Sequence, residues 1–253
     1  MAAVVTGPDA KPAASHRCRF ELKKYKTAFT CQVCRVESYD AERYRCNHCG
    51  EDRHMGCIRL ADEIKLGPGP KNIFSTGPVF MLFDTPQKGR NSKNEKWAKN
   101  CLVCGMPIRH YSYHAQTTGN KDLNMHPRCA ELTTFNTNSR VPLELQTGER
   151  HSCVWCGKKR PEGASPAGPT DFYCWSYRLT GGRNRIHVHC YTEMVIEALK
   201  SIAQLDDDDN IHIVLKRRRS SDRNELESIL SEVLKIGLDV AGIGFTDIFL
   251  DLA

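Results

Sequence analysis

No stretch of this 253-residue chain is apolar over the roughly 20 residues that a membrane-spanning helix needs. The opening Met1 to Pro12 has no apolar core of the kind a secretory signal carries, so the expectation is an intracellular protein, nuclear or cytoplasmic, with reduced thiols. Neither a Ser/His/Asp arrangement nor a Gly-rich phosphate-binding loop is present, which removes the commonest hydrolytic and nucleotide-dependent chemistries. A strong field of one sign is also missing. With 36 basic against 30 acidic side chains the formal charge is +6, which permits contact with nucleic acid or an acidic partner without demanding either.

What the chain has instead is 13 cysteines and 10 histidines in a repeating order. Four CxxC pairs (Cys31/Cys34, Cys46/Cys49, Cys101/Cys104, Cys153/Cys156) are joined by three HxxC pairs (His54/Cys57, His126/Cys129, His187/Cys190). A two-residue gap lets both side chains of a turn reach one ion at about 2.0–2.3 Å, which is tetrahedral zinc spacing. A disulfide framework would need an oxidising compartment, and redox CxxC chemistry calls for one reactive pair without an HxxC partner downstream of each. Zinc therefore accounts for the pattern best. Modules this short bury too little apolar surface to fold unaided, and metal binding replaces the missing core.

The pattern repeats three times and degrades differently in each copy. Upstream of Cys31 stands His16-Arg-Cys18, followed by Phe20-Glu-Leu22, so the first copy is complete. The second keeps Cys101xxCys104 and His126xxCys129 but has Val79 to Phe83 upstream and no middle CxxC. In the third the middle pair has decayed to Cys174-Trp-Ser-Tyr177, and Pro161 to Pro169 reads as an insertion. Breaks at Leu66-Gly-Pro-Gly-Pro70 and the polar loop Lys88 to Lys99 separate modules. The expected division is a flexible N-terminus (1–14), a two-zinc module (15–65), one-zinc modules at 71–135 and 141–205, and a C-terminal extension (206–253).

The stretch His16 to Ile58, with its His-x-Cys-x-Phe-x-Leu opening, CxxC, Tyr44-x-Cys-x-x-Cys and His-x-x-Cys, resembles the divergent C-one domains of plants. These are relatives of the diacylglycerol-binding finger of protein kinase C. His126-Pro-Arg-Cys129-Ala130 is similar to that family's usual ending, whereas 192–253 has no counterpart. The resemblance implies interleaved sites: His16, Cys18, Cys46 and Cys49 on one zinc, and Cys31, Cys34, His54 and Cys57 on a second. It implies one site in each later module, from Cys101, Cys104, His126 and Cys129 and from Cys153, Cys156, His187 and Cys190, about four zincs in all. Cys18 departs from the histidine usual there but remains a competent ligand. His189 for His187 and His48 for His16 are the alternative ligands; His110 and His114 are expected to face solvent or pack.

The expected fold class is a tandem of small zinc-stabilised α+β modules, each with short β-hairpins and a short helix, followed by a mainly helical C-terminal segment. Strands are expected at Phe20 to Tyr25, Tyr39 to Arg45 and Ile211 to Leu215. Helices are expected after each HxxC, at Ile58 to Ile64, Ala130 to Thr134 and Tyr191 to Leu205. A further helix over 222–236 carries the stripe Leu226, Ile229, Leu230, Val233, Leu234, with Gly237 just past its end. Core packing is the default for that stripe, and a homodimer through it the minority reading.

These features favour a non-enzymatic zinc-binding regulatory or interaction protein, with protein partners and, by the resemblance, a role in signalling or stress and defence. Charges in the loop Arg35 to Arg45 argue against diacylglycerol and membrane insertion. The runner-up is a PHD-like chromatin reader or nucleic-acid-binding regulator, which would pair Cys46/Cys49 with Cys101/Cys104 and use Trp97. Lys216 to Arg219 reads as a nuclear signal, a phosphate contact or a charged turn. A thiol reductase or a ubiquitin ligase is a more distant alternative, since Cys174 has no clear activating partner and the ligand order does not fit a RING finger, while closed Cys3His sites argue against metal catalysis.

Overall fold

A computed structural model describes residues 18–65, 78–84, 100–116, 122–132, 143–146, 152–164, 174–179, 184–202, 212–215, 223–240 and 249–252. The first unit has a three-stranded antiparallel sheet of β1 (Phe20–Lys24), β4 (Glu42–Cys46) and β5 (Asp52–Arg53). Beside it lie the short hairpin β2 (Phe29–Thr30) with β3 (Glu37–Ser38) and a 3-10 turn, Met55–Cys57. The register Phe20↔Cys46 places the cysteine at the end of β4 against the start of β1, next to Cys18.

The second unit is a four-stranded antiparallel meander of β6 (Glu63–Lys65), β7 (Val79–Phe83), β8 (Ser112–Gln116) and β9 (Asp122–Met125), ending in the one-turn helix α1 (Pro127–Ala130). Here two expectations change. Ile58 to Ile64 is not helical: Ile58 closes the 3-10 turn and is buried, and the chain then extends so that Glu63–Lys65 pairs with β7 and Asp62 O accepts from Leu82 N at 2.8 Å. The sheet of the second unit thus begins inside the stretch assigned above to the first. Long-range pairing has overridden local helical character.

In the third unit β10 (Leu143–Gln146), β11 (Ser176–Leu179) and β12 (Arg185–His187) form an antiparallel sheet that runs directly into α2 (Val188–Ile202). In the C-terminal part the described residues hold one long helix and two short strands. They are β13 (His212–Leu215), α3 (Arg223–Val240) and β14 (Phe249–Leu252), with β13 and β14 parallel, a pairing that requires a crossover and here contains α3. Asp206 to Asp209 and Lys216 to Arg219 lie outside the described residues, as do Leu66 to Pro70, Lys88 to Lys99 and the C-terminal end of the expected Tyr191 to Leu205 helix.

The units are not independent beads. One apolar core runs from Tyr39 of the first unit through Phe80, Met125, Leu143, Tyr177 and Met194 to Leu230 and Leu234 of α3. Leu230, Val233 and Leu234 of the expected stripe are fully buried within the single chain. The first unit keeps two small clusters of its own, one around Phe29, Val33 and the Cys31 site, the other of Phe20, Cys46 and Ile58. Gly237 lies inside α3 rather than beyond it, at the point where α3 crosses α2 against Val195 and Tyr191. Among the described residues no helix is long and apolar enough to cross a membrane.

Candidate metal centres

The backbone builds the same knuckle four times. In each, the N–H of the residue after the CxxC donates to the carbonyl of the first cysteine: Arg35 to Cys31 at 2.9 Å, and Gly50 to Cys46, Gly105 to Cys101 and Gly157 to Cys153 at 2.8 Å. That residue sits in the left-handed region every time, with φ 59° at Arg35, 74° at Gly50, 80° at Gly105 and 66° at Gly157. Glycine tolerates this backbone and other residues are disfavoured in it, so CxxC-Gly is part of the motif and Arg35 is the exception. Sequence reasoning missed this signal although the glycines were visible.

A second recurrent bond joins three of the knuckles to the strand before their HxxC. Gln32 N donates to Asp52 O at 3.0 Å, Leu102 N to Asn124 O at 2.8 Å and Val154 N to Arg185 O at 2.8 Å, always two residues ahead of the histidine. The histidine then leaves the strand in extended conformation, φ −59° at His54 and −65° at His126, and the following turn carries the last cysteine inward.

Three buried clusters result: Cys31, Cys34, His54, Cys57; Cys101, Cys104, His126, Cys129; and Cys153, Cys156, His187, Cys190, each with its donor atoms within 4.8 Å of one another. The separations fit one ion. Zn–S of about 2.3 Å and Zn–N of about 2.0–2.1 Å set a tetrahedral S···N edge near 3.6 Å and an S···S edge near 3.8 Å. Observed Sγ···Nδ1 distances are 3.3 Å (Cys34–His54), 3.6 Å (Cys57–His54), 3.4 Å (Cys104–His126), 3.9 Å (Cys129–His126), 3.5 Å (Cys156–His187) and 3.6 Å (Cys190–His187). No disulfide joins any of the 13 cysteines. In all three clusters it is Nδ1 that faces the thiols.

The other ring nitrogen is held in two of the three. His126 Nε2 lies 3.3 Å from Pro107 O and His187 Nε2 3.3 Å from Lys159 O, each acceptor being three residues beyond its CxxC. Such bonds fix the tautomer that presents Nδ1 to a metal. His54 Nε2 is buried without a partner among the described residues, its ring packed on Phe29 at 5.1 Å.

Protons held between the sulfurs dominate the electrostatics. Hydrogen bonds from Cys34 and Cys57 hold Cys31 far below the usual thiol value, while Cys31 and Cys34 push Cys57 far above it. In the third cluster Cys153 and Cys190 hold Cys156 low, and Cys153 and Cys156 push Cys190 up. Burial alone would lower the His187 imidazole, but Cys153 and Cys156 beside it hold it up, at about 9. A divalent cation held by these four donors would take the place of the shared protons, which is the donor chemistry of a zinc site.

The fourth cluster differs. Cys18, Cys46 and Cys49 come together, with Cys18 and Cys49 Sγ 3.6 Å apart, but Cys49 is exposed and Cys18 half-buried. Its fourth donor by the resemblance, His16, lies outside the described residues. Cys46 and Cys49 are grouped with Cys18 and not with Cys101 and Cys104, so the PHD-type pairing is not the one present. His189 is paired with Glu193 at 3.2 Å, outside the third cluster. His48 is in none of the clusters, and His114 contacts Asn124 Oδ1 at 3.1 Å and stacks edge-on with Phe83. Cys174 packs its sulfur over Gly105 of the second unit, and burial pushes its thiol up to about 12.

The loop that would carry a membrane-inserting tip is used within the molecule. Tyr39 packs edge-on against Tyr191 of α2, with centroids 6.1 Å apart, and Tyr191 in turn against Tyr177 at 5.2 Å. Asp40 accepts from Arg128 of α1 at 2.6 Å, and Glu37 pairs with Lys200 of α2 at 3.1 Å. Arg43 is buried, donating to Thr27 O at 2.8 Å, ion-paired with Asp52 and stacked over Tyr25 at 3.9 Å. Comparison with known proteins returns no match to any family model, curated protein or solved structure.

Proposed function

We propose that this chain is a non-enzymatic zinc-held scaffold whose metals are structural and whose work is binding other proteins in signalling or stress and defence responses. The observation that carries this reading is the closure of three buried clusters, each with three thiols and one imidazole converging on one point. Four protein donors saturate a tetrahedral ion and leave no place for water or substrate, as structural zinc sites do. The regulatory role and its protein partners come from the resemblance to divergent C-one domains, with about four zincs per chain once His16 joins Cys18, Cys46 and Cys49. Use of the Arg35 to Arg45 loop in intramolecular packing supports protein contact over diacylglycerol insertion.

Cobalt substitution tests the closed-site reading. The visible spectrum of the cobalt-loaded chain is expected to show tetrahedral thiolate coordination that excess azide or a small thiol leaves unchanged. A spectrum that shifts with added ligand reveals an open position and returns the protein to the metalloenzymes.

A further inference from the structure

We infer that the exposed cluster of Cys18, Cys46 and Cys49 is a peroxide-reactive site, at which Cys49 and Cys18 join in a disulfide and expel their metal while the three buried clusters stay intact. The inference rests on the zinc reading above and extends it to the one cluster among the described residues that solvent can reach.

Four knuckles of one backbone design end in two environments. Three place every donor in the interior; the fourth places Cys46 in the interior, leaves Cys18 half-buried and puts Cys49 at the surface. Reaction of a thiolate with a peroxide follows access, so the identical knuckles are not equally open to attack. The partner for the second step is already in place, since Cys18 and Cys49 sulfurs are 3.6 Å apart. Closing to a bond of about 2.05 Å brings the two sulfurs about 1.5 Å nearer.

Position in the fold confines the consequence. The small apolar cluster under this site, Phe20, Cys46 and Ile58, is separate from the main core, so loss of this metal leaves the packing that unites the other units.

The chemistry balances with a hydroperoxide as oxidant. Cys49 thiolate attacks the distal peroxide oxygen, the O–O bond breaks, the proximal oxygen leaves as hydroxide or alkoxide and takes a proton, and Cys49 becomes a sulfenic acid. Cys18 thiolate then attacks the Cys49 sulfur, the S–O bond breaks, hydroxide leaves and is protonated to water, and the disulfide forms. Two electrons pass from two thiolates to one peroxide. With Cys18 and Cys49 tied in the disulfide, Cys46 alone of the three thiols could still hold an ion, and the site would release it.

Stepwise hydrogen peroxide on the intact zinc-loaded chain, followed by native mass spectrometry and disulfide mapping, decides the matter. The expected result is loss of a single zinc together with a Cys18–Cys49 linkage, unchanged in Cys174→Ser and absent in Cys49→Ser, whose remaining zincs persist. Zinc leaving the buried clusters at the same dose, or oxidation without the Cys18–Cys49 bond, overturns the inference alone. A chain that starts with three zincs and loses none on forming the linkage overturns the inference too, because this cluster then has no metal to expel. A chain with no zinc before peroxide overturns the structural-zinc reading instead.

Discussion

Replacing Gly237 with alanine is expected to destabilise the protein, although alanine is the better helix former. In the middle of a helix the exchange normally gains about 1 kcal/mol from propensity. Here a methyl group at 237 would lie 2.2 Å from Val195 Cγ2 and 3.2 Å from the Tyr191 hydroxyl, where carbon atoms need about 3.5–4.0 Å. Val195 is 0% exposed and helical, so its χ1 has one strongly favoured well and the methyl cannot swing clear. Overpacking of this kind costs about 1–3 kcal/mol, and with strain this severe the net loss should be about 1–2 kcal/mol. For a chain this long that lowers the unfolding midpoint by about 2–8 °C in zinc-saturated buffer. Val195→Ala removes the obstructing methyl, so in the Gly237→Ala background it should return part of the loss, a favourable coupling of at least about 0.5 kcal/mol in a double-mutant cycle. A Gly237→Ala midpoint that rises, as propensity alone demands, refutes the close helix crossing.

The knuckles supply two more tests by differential scanning calorimetry. Arg35→Gly should raise the midpoint, because relief of the left-handed backbone (about 1–2 kcal/mol) exceeds the added unfolded-state entropy of glycine (about 0.5–1 kcal/mol); a lower midpoint contradicts this. Gly105→Ala should lower the midpoint through a stability loss of about 1–3 kcal/mol, since φ is 80° and the new methyl would sit 2.4 Å from Cys174 Sγ; an unchanged midpoint refutes the inter-unit contact. Cys174, with its thiol held up at about 12 by burial against an ordinary 9.0, should resist iodoacetamide in the native protein at mildly alkaline pH. The sign for stability follows: the contribution is complete below 9.0 and is lost as pH rises toward about 12, because the unfolded chain releases this proton first. Rapid native alkylation, or an alkaline stability loss no shallower in Cys174→Ala, argues against that burial.

Ligand grouping was legible because it is local: CxxC and HxxC each fit within one turn, and the interleaving of Cys18 with Cys46 and Cys49 follows the resemblance. Helix α2 was legible from its apolar period, though its start at Val188 puts Cys190 inside the helix. What the sequence hid depends on partners far along the chain. Nothing local marks Tyr39 as the contact of Tyr191, or Asp40 as the acceptor of Arg128 88 residues away. The same holds for Glu63–Lys65, whose strand conformation exists only because β7 pairs with it. Gly237 was read as a helix stop because its usual local meaning is a C-terminal cap, whereas its role comes from the neighbouring helix. The parallel pairing of β13 with β14 is likewise a crossover property invisible to a window of sequence.

The central claim is that closed tetrahedral zinc sites hold these units in one fold, and a metal count on the intact, natively purified chain by native mass spectrometry tests it most directly. The account predicts four zincs, three in Cys18→Ser, and loss of one buried zinc in each of Cys34→Ser, Cys104→Ser and Cys156→Ser. A natively purified chain that folds with no zinc contradicts it, and three zincs indifferent to the Cys18 change contradict the fourth site.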